Sequence, residues 1–156
     1  MLEFIDAHRG TIDAIVLSET WLKDDRTAIY QIKGYRAVHA CRSERTGGGL
    51  AVYVQIEHPV EIRLVRNTAD YHHIWLDINN MHQKIQMHAF YRPPSQSHKP
   101  YLDANENVFC QLPSNTDCII VGDVNIAINK SDSFRGQGLP VSFAVIQFRR
   151  YKQCSN

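Results

Sequence analysis

Two short apolar runs, each followed directly by polar residues that include an acid, constrain the fold of this 156-residue chain more than any other feature. Residues 119–121, Ile-Ile-Val, are typical of a strand that is buried on both faces, and Gly122, Asp123 and Asn125 come directly after them. Asp123 and Asn125 are two residues apart, so they would emerge on one side of the chain where a rigid strand reaches the surface. That position suits a metal ion or an oriented water, although a single Gly-Asp-x-Asn is more often an ordinary turn.

The second apolar run, residues 12–17, has the same design. Ser18 and Glu19 follow it, and then Thr-Trp-Leu. Alone, Glu19 would be typical of a helix cap or a solvated carboxylate. Two buried strands that each deliver an acid at one end favour a divalent-cation site, because Mg²⁺ binds a few carboxylate oxygens and keeps its other positions for water and phosphate.

Four motifs then occur in the order seen in the endonuclease/exonuclease/phosphatase superfamily. They are Leu-Ser-Glu-Thr-Trp-Leu (17–22), Gly-Gly-Gly-Leu-Ala-Val-Tyr-Val (47–54), Phe-Tyr-Arg-Pro-Pro (90–94) and Ile-Val-Gly-Asp-Val-Asn (120–125). Over roughly residues 1–130, the chain most resembles the endonuclease domain that precedes reverse transcriptase in non-LTR retrotransposons. The resemblance implies a four-layered α/β/β/α sandwich of mostly antiparallel sheets, incomplete in this chain, with residues 131–156 as a divergent C-terminal segment.

The resemblance also implies roles for individual residues in metal-dependent hydrolysis of DNA. Glu19 would hold Mg²⁺ or Mn²⁺, and Asp123 would orient or deprotonate the attacking water. Asn125 would fix water or phosphate by hydrogen bonds, and Tyr91 would contact the substrate phosphate. Arg92 is a further candidate for a phosphate contact. DNA is the partner implied, and neither a membrane nor a protein partner is predicted.

The chain departs from the family pattern at both ends. An asparagine-bearing first strand would precede residue 1, and an acidic residue and a catalytic histidine would follow residue 130. All eight histidines of this chain are interpreted as core or surface residues, and the last, His98, precedes Asp123 in no matching context. Three alternatives therefore stay open: an impaired endonuclease fragment, a catalytically dead remnant that binds metal or nucleic acid weakly, or a phosphatase or sphingomyelinase of the same superfamily. Whether this chain is an enzyme is left open.

The remaining segments predict a sheet-on-sheet core flanked by helices. A helix is expected near residues 2–8 and another over 100–112, with strands at 12–17, 35–40, 50–55, 60–65, 71–78, 85–91 and 119–121. The five strands between residues 35 and 91 predict an antiparallel meander. Residues 47–49 are interpreted as a structural turn, because a strand pattern follows them where a phosphate loop would have Gly-Lys-Ser/Thr and a helix. Residues 141–148 could form either a strand or a helix.

Composition excludes several classes of protein. The chain is 44% hydrophobic and 21% charged, as in globular proteins, and its formal charge of +1 neither favours nor excludes nucleic acid. The four cysteines have no regular spacing, so neither a zinc site nor a disulfide framework is predicted. No apolar run approaches a membrane span and no secretory signal is visible, so we expect an intracellular location, the nucleus included.

Overall fold

The computed structural model describes residues 2–8, 10–41, 47–80, 83–111, 117–125 and 143–146. The elements are α1 (Leu2–Ala7), β1 (Ala14–Ser18), a 3-10 helix (Asp24–Ile29), β2 (Tyr35–Ala40), β3 (Leu50–Gln55), β4 (Val60–Asn67), β5 (His72–Asn80), β6 (Gln83–Tyr91), α2 (Lys99–Gln111), β7 (Asp117–Asp123) and β8 (Phe143–Ile146). Every strand and helix expected from the sequence within the described residues is therefore present, with boundaries shifted by a few residues.

The strands form two four-stranded sheets. The first has the order β2-β3-β1-β8 and its pairs are antiparallel. The second has the order β4-β5-β6-β7, in which β6 and β7 run parallel and the other pairs are antiparallel. Strands β6 and β7 can be parallel because α2 lies between them in the chain. This helix brings the chain back to the end of the sheet where β6 began.

The predicted single meander over residues 35–91 is wrong, because its five strands are divided between the two sheets. Strands β2 and β3 form a hairpin of the first sheet, and β4, β5 and β6 form a meander of the second. Strand β3 pairs with β2 on one edge and with β1 on the other, so β4 has no free edge of β3 to join. The chain instead turns at Pro59 and starts the second sheet.

The main core lies between the two sheets. It consists of alternating apolar side chains from both: Ala14, Val16, Val38, Ala40, Leu50, Val52, Val54, Ile74, Leu76, Ile78, Ile85, Met87, Ala89 and Tyr91. Ile119 and Val121 of β7 pack against this core. Because side chains alternate along a strand, Asp123 lies on the same inner face as these two residues.

The two α-helices lie against the outer faces of the sheets. Ile5 of α1 packs with Ile15 and Tyr53 of the first sheet, and Tyr101 of α2 packs with Phe90 of the second. In the described residues, no helix has both the length and the apolar character needed to cross a membrane.

The segment for which the sequence left strand and helix open contains a strand. Residues 143–146 pair antiparallel with β1, so this part of the C-terminal segment adds a fourth strand to the first sheet. The predicted boundary at residue 130 lies outside the described residues.

Candidate functional site

Glu19 stands immediately beyond the C-terminal end of β1, where the pairing of Ser18 with Leu50 brings the glycine run of residues 47–49 beside it. Its carboxylate accepts three hydrogen bonds. Oε1 accepts from the Tyr91 hydroxyl, and Oε2 accepts from Trp21 Nε1 at 2.9 Å and from the Gly48 backbone N–H at 3.0 Å. The Tyr91 contact joins the two sheets, because Tyr91 is the last residue of β6 and Glu19 extends from β1.

The loop that carries Glu19 has an unusual backbone. Glu19 and Trp21 have φ of 54° and 55°, a left-handed conformation that is uncommon outside glycine. The glycine run supports this conformation, since Trp21 N–H donates to the Gly48 carbonyl at 2.8 Å. Gly49 has a φ of +99°, which residues with a side chain rarely adopt, and a Cβ there would also meet Thr20 Oγ1, so glycine suits this position. The glycine run is therefore more than the turn that the sequence predicted, because it donates to the acid and shapes its loop.

Asp123 lies beside Tyr91 in the second sheet. The two residues are directly paired at the ends of the parallel strands β7 and β6, and both face the inner side. The approach of the strands depends on Gly122, since a Cβ there would lie 1.8 Å from the Phe90 carbonyl oxygen at a φ of +151°. The structure thus brings three predicted site residues to one end of the sandwich, with Tyr91 between the loop of Glu19 and the strand of Asp123.

Hydrogen bonds fix both the backbone and the side chain of Asn125. Its backbone N–H donates to Asp123 Oδ1 at 3.3 Å, and its amide Nδ2 donates to the Arg92 carbonyl at 2.9 Å. This fixes the turn after β7 and orients the amide, so that Oδ1 is the atom through which Asn125 could bind water or a cation.

Arg92 occupies a place that does not fit the predicted phosphate contact. Its side chain is fully buried, and its guanidinium donates to four backbone carbonyls. These belong to Val124 at 2.6 Å, Pro93 at 2.9 Å, Gln96 at 2.6 Å and Asn125. Four of the five N–H groups of the guanidinium are thereby used. Arg92 ties the loop after β6 to the loop after β7, and it supports the site without reaching it.

The histidines of β5 alternate between the faces of the second sheet, as strand geometry predicts. His72 points inward, where Nδ1 lies 3.2 Å from the Ala40 carbonyl, and His73 stacks on Phe90 with ring centroids 4.0 Å apart. His73 Nε2 and His88 Nδ1 are 3.1 Å apart on the outer face. Burial lowers the pKa of His73 to about 3 and that of His88 to about 4. Both are therefore neutral core residues at pH 7.

The oxygen donors at this end of the sandwich suit a hard divalent cation. Glu19, Asp123 and the amide oxygen of Asn125 are ligands that Mg²⁺ prefers, and Mg²⁺ in phosphate-handling sites takes only one or two protein carboxylates. Within the part of the chain that the structure describes, no cluster of three or more His, Cys, Asp or Glu side chains could hold a metal on its own. To bind a cation, these protein oxygens would have to be joined by oxygens of substrate and water.

Sequence reasoning missed two contributors to this site, Trp21 and Gly48. Both donate to Glu19 Oε2. The signal was available in part, since an antiparallel pairing of residues 14–18 with 50–54 places the glycine run opposite the Ser-Glu-Thr-Trp segment.

Comparisons with known proteins bear on the fold. No protein-family model and no curated protein sequence matches the chain. Among solved structures, it is similar to a crystal structure of truncated TDP2 from Caenorhabditis elegans, with a TM-score of 0.59 and 13% identity, over 94% of this chain and 72% of that one. The two chains share a fold. The likeness to TDP2 confirms the predicted α/β sandwich, and at 13% identity it shows the fold alone.

Proposed function

We propose that this chain is a metal-dependent phosphodiesterase of the DNA endonuclease type. The observation that carries the proposal is the hydrogen bond from the Tyr91 hydroxyl to Glu19 Oε1, with Asp123 paired beside Tyr91 on the neighbouring strand. Glu19 and Asp123, which are far apart in the sequence, therefore lie on either side of Tyr91. The fold that the chain shares with TDP2 supports the assignment as a phosphodiesterase. The order of the four motifs supports an origin in a retroelement endonuclease.

Each side chain has a distinct part in this proposal. Glu19 would hold Mg²⁺ or Mn²⁺, and the ion would neutralise charge on the scissile phosphate. Asp123 would orient the attacking water and accept its proton. Tyr91 holds Glu19 in position and can turn its hydroxyl to a phosphate oxygen. Asn125 would contribute its amide oxygen, and Arg92 keeps the loops of Tyr91 and Asn125 together.

A second candidate is a remnant that binds a cation or DNA without cleaving it. It is favoured by the carboxylate of Glu19, which already accepts three hydrogen bonds from the protein. A bound cation would have to share or displace these donors, which would weaken its binding.

Nicking of supercoiled plasmid in the presence of Mg²⁺ tests the proposal. Asp123→Ala should abolish nicking, and Asp103→Ala, at an exposed position of α2, is the matched control that should leave it unchanged. Nicking that persists in Asp123→Ala would refute the assigned role. No nicking, together with a melting temperature that Mg²⁺ raises in the original chain and not in Glu19→Gln, would support the non-cleaving candidate.

A further inference from the structure

Trp21 is the most exposed large aromatic side chain close to the candidate site. It is 67% exposed, and no aromatic ring within the described residues stacks on it. Single exposed hydrophobic residues are common and need no explanation by themselves. Trp21 differs from them because it is fixed in place at a strained backbone position.

Two hydrogen bonds hold Trp21 in place, one from the indole ring and one from the backbone. Its Nε1–H donates to Glu19 Oε2 at 2.9 Å, and the backbone N–H of Trp21 donates to the Gly48 carbonyl at 2.8 Å. The residue has a φ of 55°, which a bulky side chain adopts only when its surroundings impose it. The hydrogen bond uses the edge of the ring, and the side chain keeps most of its surface exposed. The result is a rigid aromatic surface anchored to the acid proposed to hold the cation.

We propose that the exposed face of Trp21 stacks on a base of single-stranded nucleic acid that flanks the scissile phosphodiester. Stacking on an aromatic side chain accepts every base, because every base has a π-face. It requires a base whose face is not covered by its neighbour, which excludes the interior of an uninterrupted duplex. The inference rests on the proposed phosphodiesterase function, and it names the substrate as a single-stranded or unpaired segment.

Binding measured without metal tests this inference separately from cleavage. The probe is a fluorescein-labelled oligothymidylate of about twelve nucleotides, a typical length for a single-strand site, followed by fluorescence anisotropy in EDTA. Trp21→Ala should weaken binding by roughly 5- to 150-fold, the loss expected for one stacked base. Trp21→Phe should keep most of the affinity, since it keeps an aromatic face. Tyr30→Ala is the matched control, because Tyr30 is an exposed aromatic residue, 50% exposed, in the following segment.

Two further probes separate stacking from attraction to the phosphates. An abasic oligonucleotide of the same length should bind the original chain as weakly as oligothymidylate binds Trp21→Ala, and Trp21→Ala should not distinguish the two probes. A blunt duplex of the same length should bind more weakly than the single strand. Melting temperatures equal to that of the original chain would show that the variants are folded.

The same experiments can overturn the inference. Equal affinity of Trp21→Ala and the original chain, equal binding of the abasic probe, tighter binding of the duplex, or no binding of oligothymidylate would each do so. Failure of the proposed function is a different result: a chain that binds oligothymidylate through Trp21 but cleaves neither oligothymidylate nor supercoiled plasmid with Mg²⁺ keeps the inference and loses the phosphodiesterase. With cleavage present, Trp21→Phe should bind normally and cleave more slowly, because it lacks the N–H that holds Glu19.

Discussion

Mild acid should destabilise this protein, because the histidine pair buried on the outer face of the second sheet takes up protons more readily in the unfolded chain than in the folded one. His73 and His88 are 2% and 1% exposed, and their rings share one hydrogen bond between Nε2 and Nδ1. Burial is the main reason that the pKa of His73 is lowered to about 3, with further lowering by His88 and Arg66. Burial also lowers the pKa of His88 to about 4, against a smaller opposing effect of Asp77. Protonation of either ring would place a positive charge in a buried site, which favours the neutral imidazole.

The size and direction of the effect follow from these pKa values. The unfolded chain takes up protons near pH 6.5, the usual value for histidine, whereas the folded chain resists them until about pH 4 or below. The stabilisation is therefore complete above about pH 6.5 and is lost as the pH falls toward the folded pKa values. Each histidine contributes up to about 1.4 kcal/mol per pH unit, so the pair removes roughly 4 kcal/mol between pH 6.5 and 4.5. A domain has only about 5–15 kcal/mol to lose.

Urea unfolding followed by circular dichroism at several pH values between about 7 and 4.5 measures this loss. The informative variant is His73→Phe with His88→Phe, because removing one partner alone would leave a buried ring nitrogen without its bond. The double variant should lose much less stability in acid. His98→Gln, at an exposed position, is the control and should follow the original chain. If the free energy of unfolding fell by the same amount in the original chain and in the double variant as the pH was lowered, the reasoning would be refuted.

Three substitutions give further predictions. Tyr91→Phe should lower the nicking rate by about two to three orders of magnitude at an unchanged melting temperature, since it removes one donor to Glu19; an unchanged rate would contradict this. Gly122→Ala should cost about 3 kcal/mol or more in urea unfolding, because the new Cβ meets the Phe90 carbonyl; full stability would show that β7 can move away. Arg92→Lys should cost roughly 3 kcal/mol, because one amine cannot serve four carbonyls, and lost nicking at full stability would instead indicate a substrate contact.

The elements of the fold could be predicted because they depend on local patterns. Strands 35–40 and 50–55 are observed with the expected bounds, since alternating apolar residues and flanking glycines mark them. The helix expected at 100–112 is observed at Lys99–Gln111. The division of the strands between two sheets was not predictable from those patterns, because strand β3 has the same apolar character whichever strands lie beside it.

The site could be predicted only in part. Apolar runs ending in acids identified Glu19 and Asp123, and the motif order added Tyr91. The role of Arg92 could not be read from the sequence, because a guanidinium binds carbonyls and phosphates by the same N–H groups. Whether it faces solvent depends on the loops around it, and those contacts are more than 30 residues away in the chain.

The position of β1 determines which half of the site can move. Strand β1 is paired along both edges, with β3 and β8, so the amide hydrogens of residues 15–17 should exchange with solvent only when the whole molecule opens. Trp21 and the glycine run lie beyond that double pairing. Any adjustment to incoming nucleic acid should therefore come from the glycine loop, with Glu19 and the indole bonded to it acting as the stationary support.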